Sequence, residues 1–590
     1  MSFLRFLRRM LREQRARFVI IVLLMALVAL TEGLIIMLIV PLLNVVMEVG
    51  SWPEGILGQA TALLENVLRS LHLELTLGII LAIIVAIFII QGLFRLLQMH
   101  LQMKMLTTYE SSLIHDLFGG FLSSAWPFFL RTKIGQLINV LSQETSRATT
   151  AFQFSCQFVA SFLVAIFYIV IAFFISWPLT LGGIVLSALA SLLLKRLMRK
   201  AEKYGVETSE ANNQLQAYAF DKLSAAKMLK ASATGQRALE GMSSIIKQKV
   251  RLRYLSIMNA TAIRSFYEPL VMAILALIGY FAVTWWGSQV AIILVFVLIF
   301  YRLVPHFSTM QAAYQQVLIF MPGLDEVDKL NYQIKSLPDT GGNIKFVSLR
   351  EGIVFDKVSF AYDGQSFVLK DIDMRIRRGE SVAIVGESGV GKTTLVDLLL
   401  GLLTPTKGQI LIDGIPITDY DLTSWRKAIG YMSQDIFLFH DTVEANLKWT
   451  DPDISDETVK AAANVAYASE FLNEMPEGYS TVIGDRGVKL SVGQRQRLAL
   501  ARTVIQHPEI VVLDEATSSL DSESEAMIQH AISQIWRDKT VITISHRLST
   551  VRDADRIYVL ENGGIAESGT WAELVARKGR FEQMRVRQNL

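Results

Sequence analysis

The chain has 590 residues, with 57 Lys and Arg against 54 Asp and Glu, a formal net charge of +3. At 52% hydrophobic, 19% charged and a mean hydropathy of +0.39, it is too apolar for an ordinary soluble chain, whose charged share is about 25%. Disordered, collagen-like and disulfide-rich classes are excluded, and the single cysteine, Cys156, leaves no internal disulfide or multi-cysteine metal site. The charge is unevenly divided: residues 1–330 hold 28 basic and 18 acidic residues, and residues 331–590 hold 29 and 36. A basic, apolar half precedes an acidic one, and no nucleic acid is expected as a partner.

Crossing a ~30 Å hydrocarbon core takes about 20 apolar residues. Six runs qualify, over residues 18–47, 77–97, 152–176, 179–197, 266–286 and 289–304. The first continues too far for a cleavable signal peptide. Arg5, Arg8, Arg9, Arg12, Arg15 and Arg17 precede it, and Lys195, Arg196, Arg199 and Lys200 mark the end of the fourth. By the positive-inside rule both termini are cytoplasmic, and Trp177, Trp285 and Trp286 fall at the outer interface. The expectation is a multi-pass protein of a cell's inner (plasma) membrane, contacting membrane lipids.

Two inward loops, 98–151 and 198–265, carry helical periodicity instead of linker composition. They predict helical hairpins that extend the spans into the cytoplasm, turning near residues 126–131, where Pro127 breaks the helix, and 226–231. The expected domains are 1–330 (six transmembrane helices), a linker at 331–350 containing Pro338, Gly341 and Gly342, and 351–590, an α/β domain of strands alternating with helices.

The α/β part holds the most specific signal. After an apolar strand at 381–385 comes Gly386, Glu387, Ser388, Gly389, Val390, Gly391, Lys392, Thr393 and Thr394, and then a helical stretch. This is a phosphate-binding loop in its required strand–loop–helix context. The glycines free backbone N–H groups for phosphates, the helix start adds positive potential, Lys392 reaches the β- and γ-phosphates, and Thr393 can ligate Mg²⁺. A second apolar strand, 510–513, ends in Asp514 and Glu515. Acidic residues often end strands merely because a loop begins. Beside a phosphate loop, Asp514 reads instead as a Mg²⁺ ligand and Glu515 as the base that polarises water.

Residues Leu490-Ser491-Val492-Gly493-Gln494 resemble the signature of ATP-binding cassette (ABC) proteins. The resemblance covers residues 355–574 and implies further roles. Tyr362 would stack on adenine, Gln434 would approach the metal, Ser491, Gly493 and Gln494 would meet ATP, Asp521 would serve in the D-loop (519–521), and His546 would be the switch histidine. Residues 483–487 resemble the loop that touches the membrane-domain coupling helices. Val492 departs from the usual glycine, and Asp485 from the usual glutamate. With six preceding spans, the whole chain is similar to a half-size ABC exporter of the type IV fold: a polytopic α-helical membrane domain fused to a P-loop ATPase.

In that family one cassette's signature covers ATP on another's phosphate loop, which implies two chains. Because Lys392, Asp514, Glu515 and His546 are all intact, a symmetric homodimer is expected. ATP and Mg²⁺ are the implied cofactors, with Lys392, Glu515 and His546 catalytic.

The cargo is read from the membrane half. Glu32 and Arg302 fall near mid-bilayer by count, Glu268 somewhat shallower, and Arg95 and Arg264 nearer the inner leaflet. Two readings stand: either Arg302, helped by Arg95 and Arg264, attracts an anionic headgroup, or Glu32 pairs with Arg302 and Arg264 with Glu268. An amphipathic stretch at 56–73 would lie in the outer interface or cap the spans. With the first span it resembles the lipid-linked oligosaccharide flippase branch. The expected cargo is an amphipathic, anionic lipid or lipid-linked molecule. The alternative is export of drugs or hydrophobic peptides, the lack of a protease domain speaking against leader-cleaving peptide export.

Overall fold

The computed structural model describes residues 15–47, 66, 70, 76–286, 290–339, 341–362, 366–515, 530, 532 and 539–588. Its contacts divide the chain into two units, Met1–Leu122 with Lys133–Gln333, and Ser123–Thr132 with Ile334–Leu590.

The first unit is helical. Its helices are Arg15–Met47, Leu77–Leu122, Ile134–Asn139, Thr145–Ile175, Trp177–Ser224, Ala226–Ala231, Gly235–Trp286 and Val290–Ser336, whose last residues pass into the second unit. The 46 residues of Leu77–Leu122 rise about 69 Å, more than twice a bilayer core. The hydropathy of residues 77–97 therefore covers one part of a single rod. Leu81, Val85, Phe88, Ile89 and Leu93 are exposed along that part, a face that only lipid or another protein can cover. Among the described residues, Phe18–Ile35, Leu77–Leu122 and Ile134–Phe174 are long and apolar enough to cross a membrane. The runs 179–197, 266–286 and 290–304 lie within the long helices Trp177–Ser224, Gly235–Trp286 and Val290–Ser336.

The breaks have local causes. Ser176 is extended (φ −158°, ψ 104°), and Pro178 sits in the first turn of the next helix, where its missing N–H costs nothing. A π-helical turn at Val140–Glu144 brings Glu144 to 3.2 Å from Arg147, whose Nη2 also donates to the Ile319 carbonyl. A short helix at Ala226–Ala231 forms the tip of the second hairpin. Most of the stretch at 56–73 lies outside the described residues.

The second unit holds two sheets. One is antiparallel, in the order β2 (Leu369–Arg377), β1 (Gly352–Phe360), β4 (Lys407–Ile412), β5 (Ile415–Pro416). The other has the order β10 (Gly564–Gly569), β9 (Arg556–Glu561), β3 (Ser381–Gly386), β8 (Thr540–Ser545), β7 (Ile510–Asp514), β6 (Ile429–Met432). All its pairings are parallel except β9 with β10. Val382–Val385 and Ile510–Asp514 are buried throughout, as parallel strands covered on both faces must be. Trp425 is wholly buried in the core and donates its indole N–H to the Leu399 carbonyl at 2.9 Å.

The stretch 331–350 is no slack tether. Asn331–Ser336 is helical, while Phe346 and Leu349 are buried in the core. A Cβ on Gly342 would come within 2.0 Å of the Asp419 carbonyl oxygen, so only glycine permits this close passage. The first hairpin tip, helix Trp126–Arg131, belongs to the same unit. The Ala125 N–H donates to the Leu337 carbonyl and the Asp339 N–H to the Ser123 carbonyl, and Phe128 is buried.

Candidate active site

The phosphate loop leaves the carboxyl end of β3, between β8 and β9, and runs into helix Lys392–Leu399. Gly391, at the helix N-cap with φ +107°, and Gly389, at φ +82°, adopt conformations that a side chain would strain. The Lys392 ammonium donates to the carbonyls of Gly386 (2.9 Å) and Glu387 (3.0 Å), folding back across the loop. Burial pulls its pKa down, while the charges of Glu515 and Asp514 act to raise it. Thr393 is exposed; Thr394 is buried and shares a 3.2 Å hydrogen bond with the hydroxyl of Tyr362. Ser388 and Val390 complete the loop within the same turn.

Asp514 ends β7 almost wholly buried, and burial, helped by Glu515 and opposed by Lys392, pushes its pKa up to about 6. Asp397, on the phosphate-loop helix, is likewise pushed up to about 6 by burial and then by Asp514. Tyr431 is raised by burial and then by both carboxylates. Sequence motifs gave no sign of Asp397 or Tyr431. The three crowd one another because adjacent parallel strands and the loop helix converge there, and a cation would relieve the crowding.

Glu515 takes φ +48°, an uncommon backbone for a residue with a side chain, while its N–H is held by the Ile544 carbonyl at 2.9 Å. Its Oε2 accepts from Gln434 Nε2 at 2.8 Å, and its Oε1 lies 3.1 Å from His546 Nδ1. Three residues from separate motifs thus meet at one carboxylate. This arrangement can order a water and accept its proton.

The signature is organised separately. Ser491 caps helix Val492–Ile505 through a reciprocal capping box: Gln494 N–H donates to its hydroxyl oxygen, and its own N–H donates to Gln494 Oε1. Val492 is the first helical residue and half-exposed. Among the described residues no hydrogen bond joins Ser491, Gly493 or Gln494 to the phosphate loop. Asp521, with the rest of 519–521, lies outside the described residues.

The last helix, Arg580–Arg587, also reaches the site. Arg580 Nη2 donates to the phosphate-loop Glu387 at 2.8 Å. Just beyond that helix, Gln588 Nε2 donates to the His546 carbonyl and Gln588 Oε1 accepts from the Leu548 N–H. These contacts had no local signal in the sequence.

In the membrane unit the Glu32–Arg302 pair, one of the two readings of these residues, does not form. Glu32 accepts from Arg95 on Oε1 and from the Tyr168 hydroxyl on Oε2 (2.8 Å), with His306 3.5 Å from Oε2. The helix faces, which bilayer depth does not specify, turn Arg95 rather than Arg302 towards it. The side chains of Arg264 and Glu268 lie outside the described residues.

Comparison with known proteins gives the lineage. The ABC transporter family model matches residues 369–518, and that of the ABC transporter transmembrane region matches residues 18–304. The heterocyst differentiation ATP-binding protein HepA of Nostoc sp. is 32% identical over 455 residues, 77% of this chain and 75% of that protein. A Staphylococcus aureus protein, provisionally named a multidrug export ATP-binding/permease protein, is 46% identical over 262 residues, 44% of this chain and 45% of its own length. The structure of a bacterial Atm1-family ABC exporter with ATP bound superposes with a TM-score of 0.78 at 26% identity, covering 98% of this chain and 99% of that one. With both its parts matched and its fold shared from end to end with an exporter, the chain belongs to the ABC transporter family, as a half-size, multi-pass membrane exporter whose ATP-binding cassette couples ATP hydrolysis to transport.

Proposed function

We propose that two copies of the chain form a symmetric transporter that flips or exports an amphipathic, anionic lipid or lipid-linked molecule across a cell's inner membrane, with both termini cytoplasmic. The observation that carries the ATPase mechanism is the meeting of Gln434, Glu515 and His546 beside Lys392. In this reading the phosphate-loop N–H groups and Lys392 hold the phosphates, Tyr362 stacks on adenine, and Ser491, Gly493, Gln494 and Asp521 close the site from the second copy. Glu515 accepts a proton from the attacking water while His546 keeps the carboxylate oriented.

The residues fit a hard divalent cation. Thr393 is exposed, Asp514 supplies a carboxylate, and Gln434 gives its amide nitrogen to Glu515, leaving Oε1 open. Bound by these oxygens, Mg²⁺ would neutralise phosphate charge.

Support for an anionic cargo is the guanidinium of Arg302, which has no acidic partner among the described residues. Of the second reading, drug or hydrophobic peptide export, the drug part is favoured by the name of the Staphylococcus aureus relative. Reconstitution of wild type and Glu515→Gln in liposomes separates them. Labelled anionic lipid should stimulate ATPase activity and move only in wild type. If lipids do neither while planar cationic drugs do both, lipid flipping is wrong.

A further inference from the structure

Inside the membrane unit a cavity of about 240 Å³ opens beside Glu32, Tyr168 and Arg302. Its hydrogen-bonding balance is one-sided. Both oxygens of Glu32, its one carboxylate, are engaged by Arg95, Tyr168 and His306. Two of its donors have no partner among the described residues. The exposed Arg302 lines it with no hydrogen bond or ion pair to any described residue. Gln91 lines it too, 4% exposed, and its Nε2 has no partner among the described residues. A buried amide nitrogen without an acceptor costs on the order of 1–3 kcal/mol, and such groups are rare unless a ligand or water completes them.

A site with spent acceptors and idle donors selects a ligand made of acceptors. We propose that Gln91 and Arg302, with the remaining N–H groups of Arg95, bind an oxyanion, a phosphate monoester in the first instance, and that this is where the charged end of the cargo rests. Ile39, Phe88 and Leu298 also line it, apolar side chains against which a hydrocarbon chain can lie. The volume falls below the roughly 300–1,000 Å³ of sites that enclose a drug-sized molecule, so the cavity takes a headgroup and leaves the rest of the molecule outside. Glu32 acts as a positioning residue: it holds the Arg95 guanidinium in place, and Arg95 and Arg302 together outweigh its single negative charge. The proposal rests on the anionic-cargo reading above and adds the residues and the chemical group.

The test is equilibrium binding of a fluorescent short-chain phosphatidate to the purified full-length protein, with diacylglycerol of the same chains as the neutral probe and glycerol phosphate as the soluble competitor. Phosphatidate should bind and diacylglycerol should not. Arg302→Gln should weaken binding ~10-fold or more. Gln91→Met, similar in size but apolar, should weaken binding ~3-fold or more while the melting temperature holds or rises, because it removes an unpaired buried amide; a packing role for Gln91 predicts the reverse. Competition by glycerol phosphate identifies a free anion as sufficient, and its failure identifies a lipid-borne one; either supports the site. Equal affinity in wild type and both variants, or diacylglycerol binding as well as phosphatidate, overturns it. If binding depends on Arg302 and Gln91 yet no lipid moves in liposomes, lipid flipping falls and the site stands.

Discussion

His546 Nδ1 lies 3.1 Å from Glu515 Oε1, on the side of the carboxylate opposite the Gln434 amide. Held from both sides, Glu515 has one orientation in which to act. Glu515→Gln keeps the size and one acceptor oxygen but not the proton-accepting carboxylate. It should lower ATP turnover at least ~10-fold with nucleotide affinity retained. Steady-state hydrolysis with equilibrium ATP binding checks this, and near-wild-type turnover would remove Glu515 as the base.

The C-terminal helix ties the phosphate loop to the switch loop through Arg580–Glu387 and Gln588–His546. Gln588→Leu removes two hydrogen bonds that fix the switch-loop backbone, one to the His546 carbonyl and one from the Leu548 N–H. A net loss of about 1 kcal/mol in positioning corresponds to roughly a 5-fold fall in kcat, with KM for ATP little changed. A change in KM alone would show that the tie serves binding.

Asp421 caps helix Leu422–Lys427 by accepting from the N–H groups of Thr423 and Ser424, bonds that hold its carboxyl below the usual value of 3.8. A depressed folded-state pKa contributes stability above the unfolded value, and that stability is lost as pH falls through the folded one. Asp421→Ala should lower the melting temperature of the protein at pH 7, and by less as the pH falls below 3.8. Asp421→Asn, which caps without the charge, should lie between Asp421→Ala and wild type at pH 7. A deficit in Asp421→Ala that stays the same size below pH 3.8 would mean that the charge is irrelevant.

Glu32 and Arg302 should part company on mutation. Glu32→Ala leaves the buried Tyr168 hydroxyl without its acceptor, a loss of about 1–3 kcal/mol, and should cut the yield of folded protein. Arg302→Ala breaks no ion pair among the described residues and should express normally. Fluorescence-detected size-exclusion chromatography of the two variants gives the comparison.

What could be read from the sequence follows chain distance. The phosphate loop and the Asp514-Glu515 step are runs of neighbours, so their residue types and spacing reveal them directly. Arg580 meets Glu387 across 193 positions and Tyr168 meets Glu32 across 136, distances at which only the fold decides. Counting residues from a membrane surface places Glu32 at a depth without saying which way its helix turns. That missing angle is why the sequence offers Arg302, and not Arg95, as a partner for Glu32. Asp397 and Gln91 were silent for a simpler reason: a lone carboxylate or amide on a helix acquires meaning only from what surrounds it.

The segment Ser123–Thr132 counts with the cassette although both its flanks are membrane-unit chain. The backbone therefore passes between the units at 122/123, at 132/133 and again at 333/334. A protease nick between Gly341 and Gly342 would sever only the last of these passages. The fragments should stay together on a native gel in mild detergent, because the Arg426 guanidinium of one holds the Asp339 carboxylate of the other, and should separate in denaturing detergent.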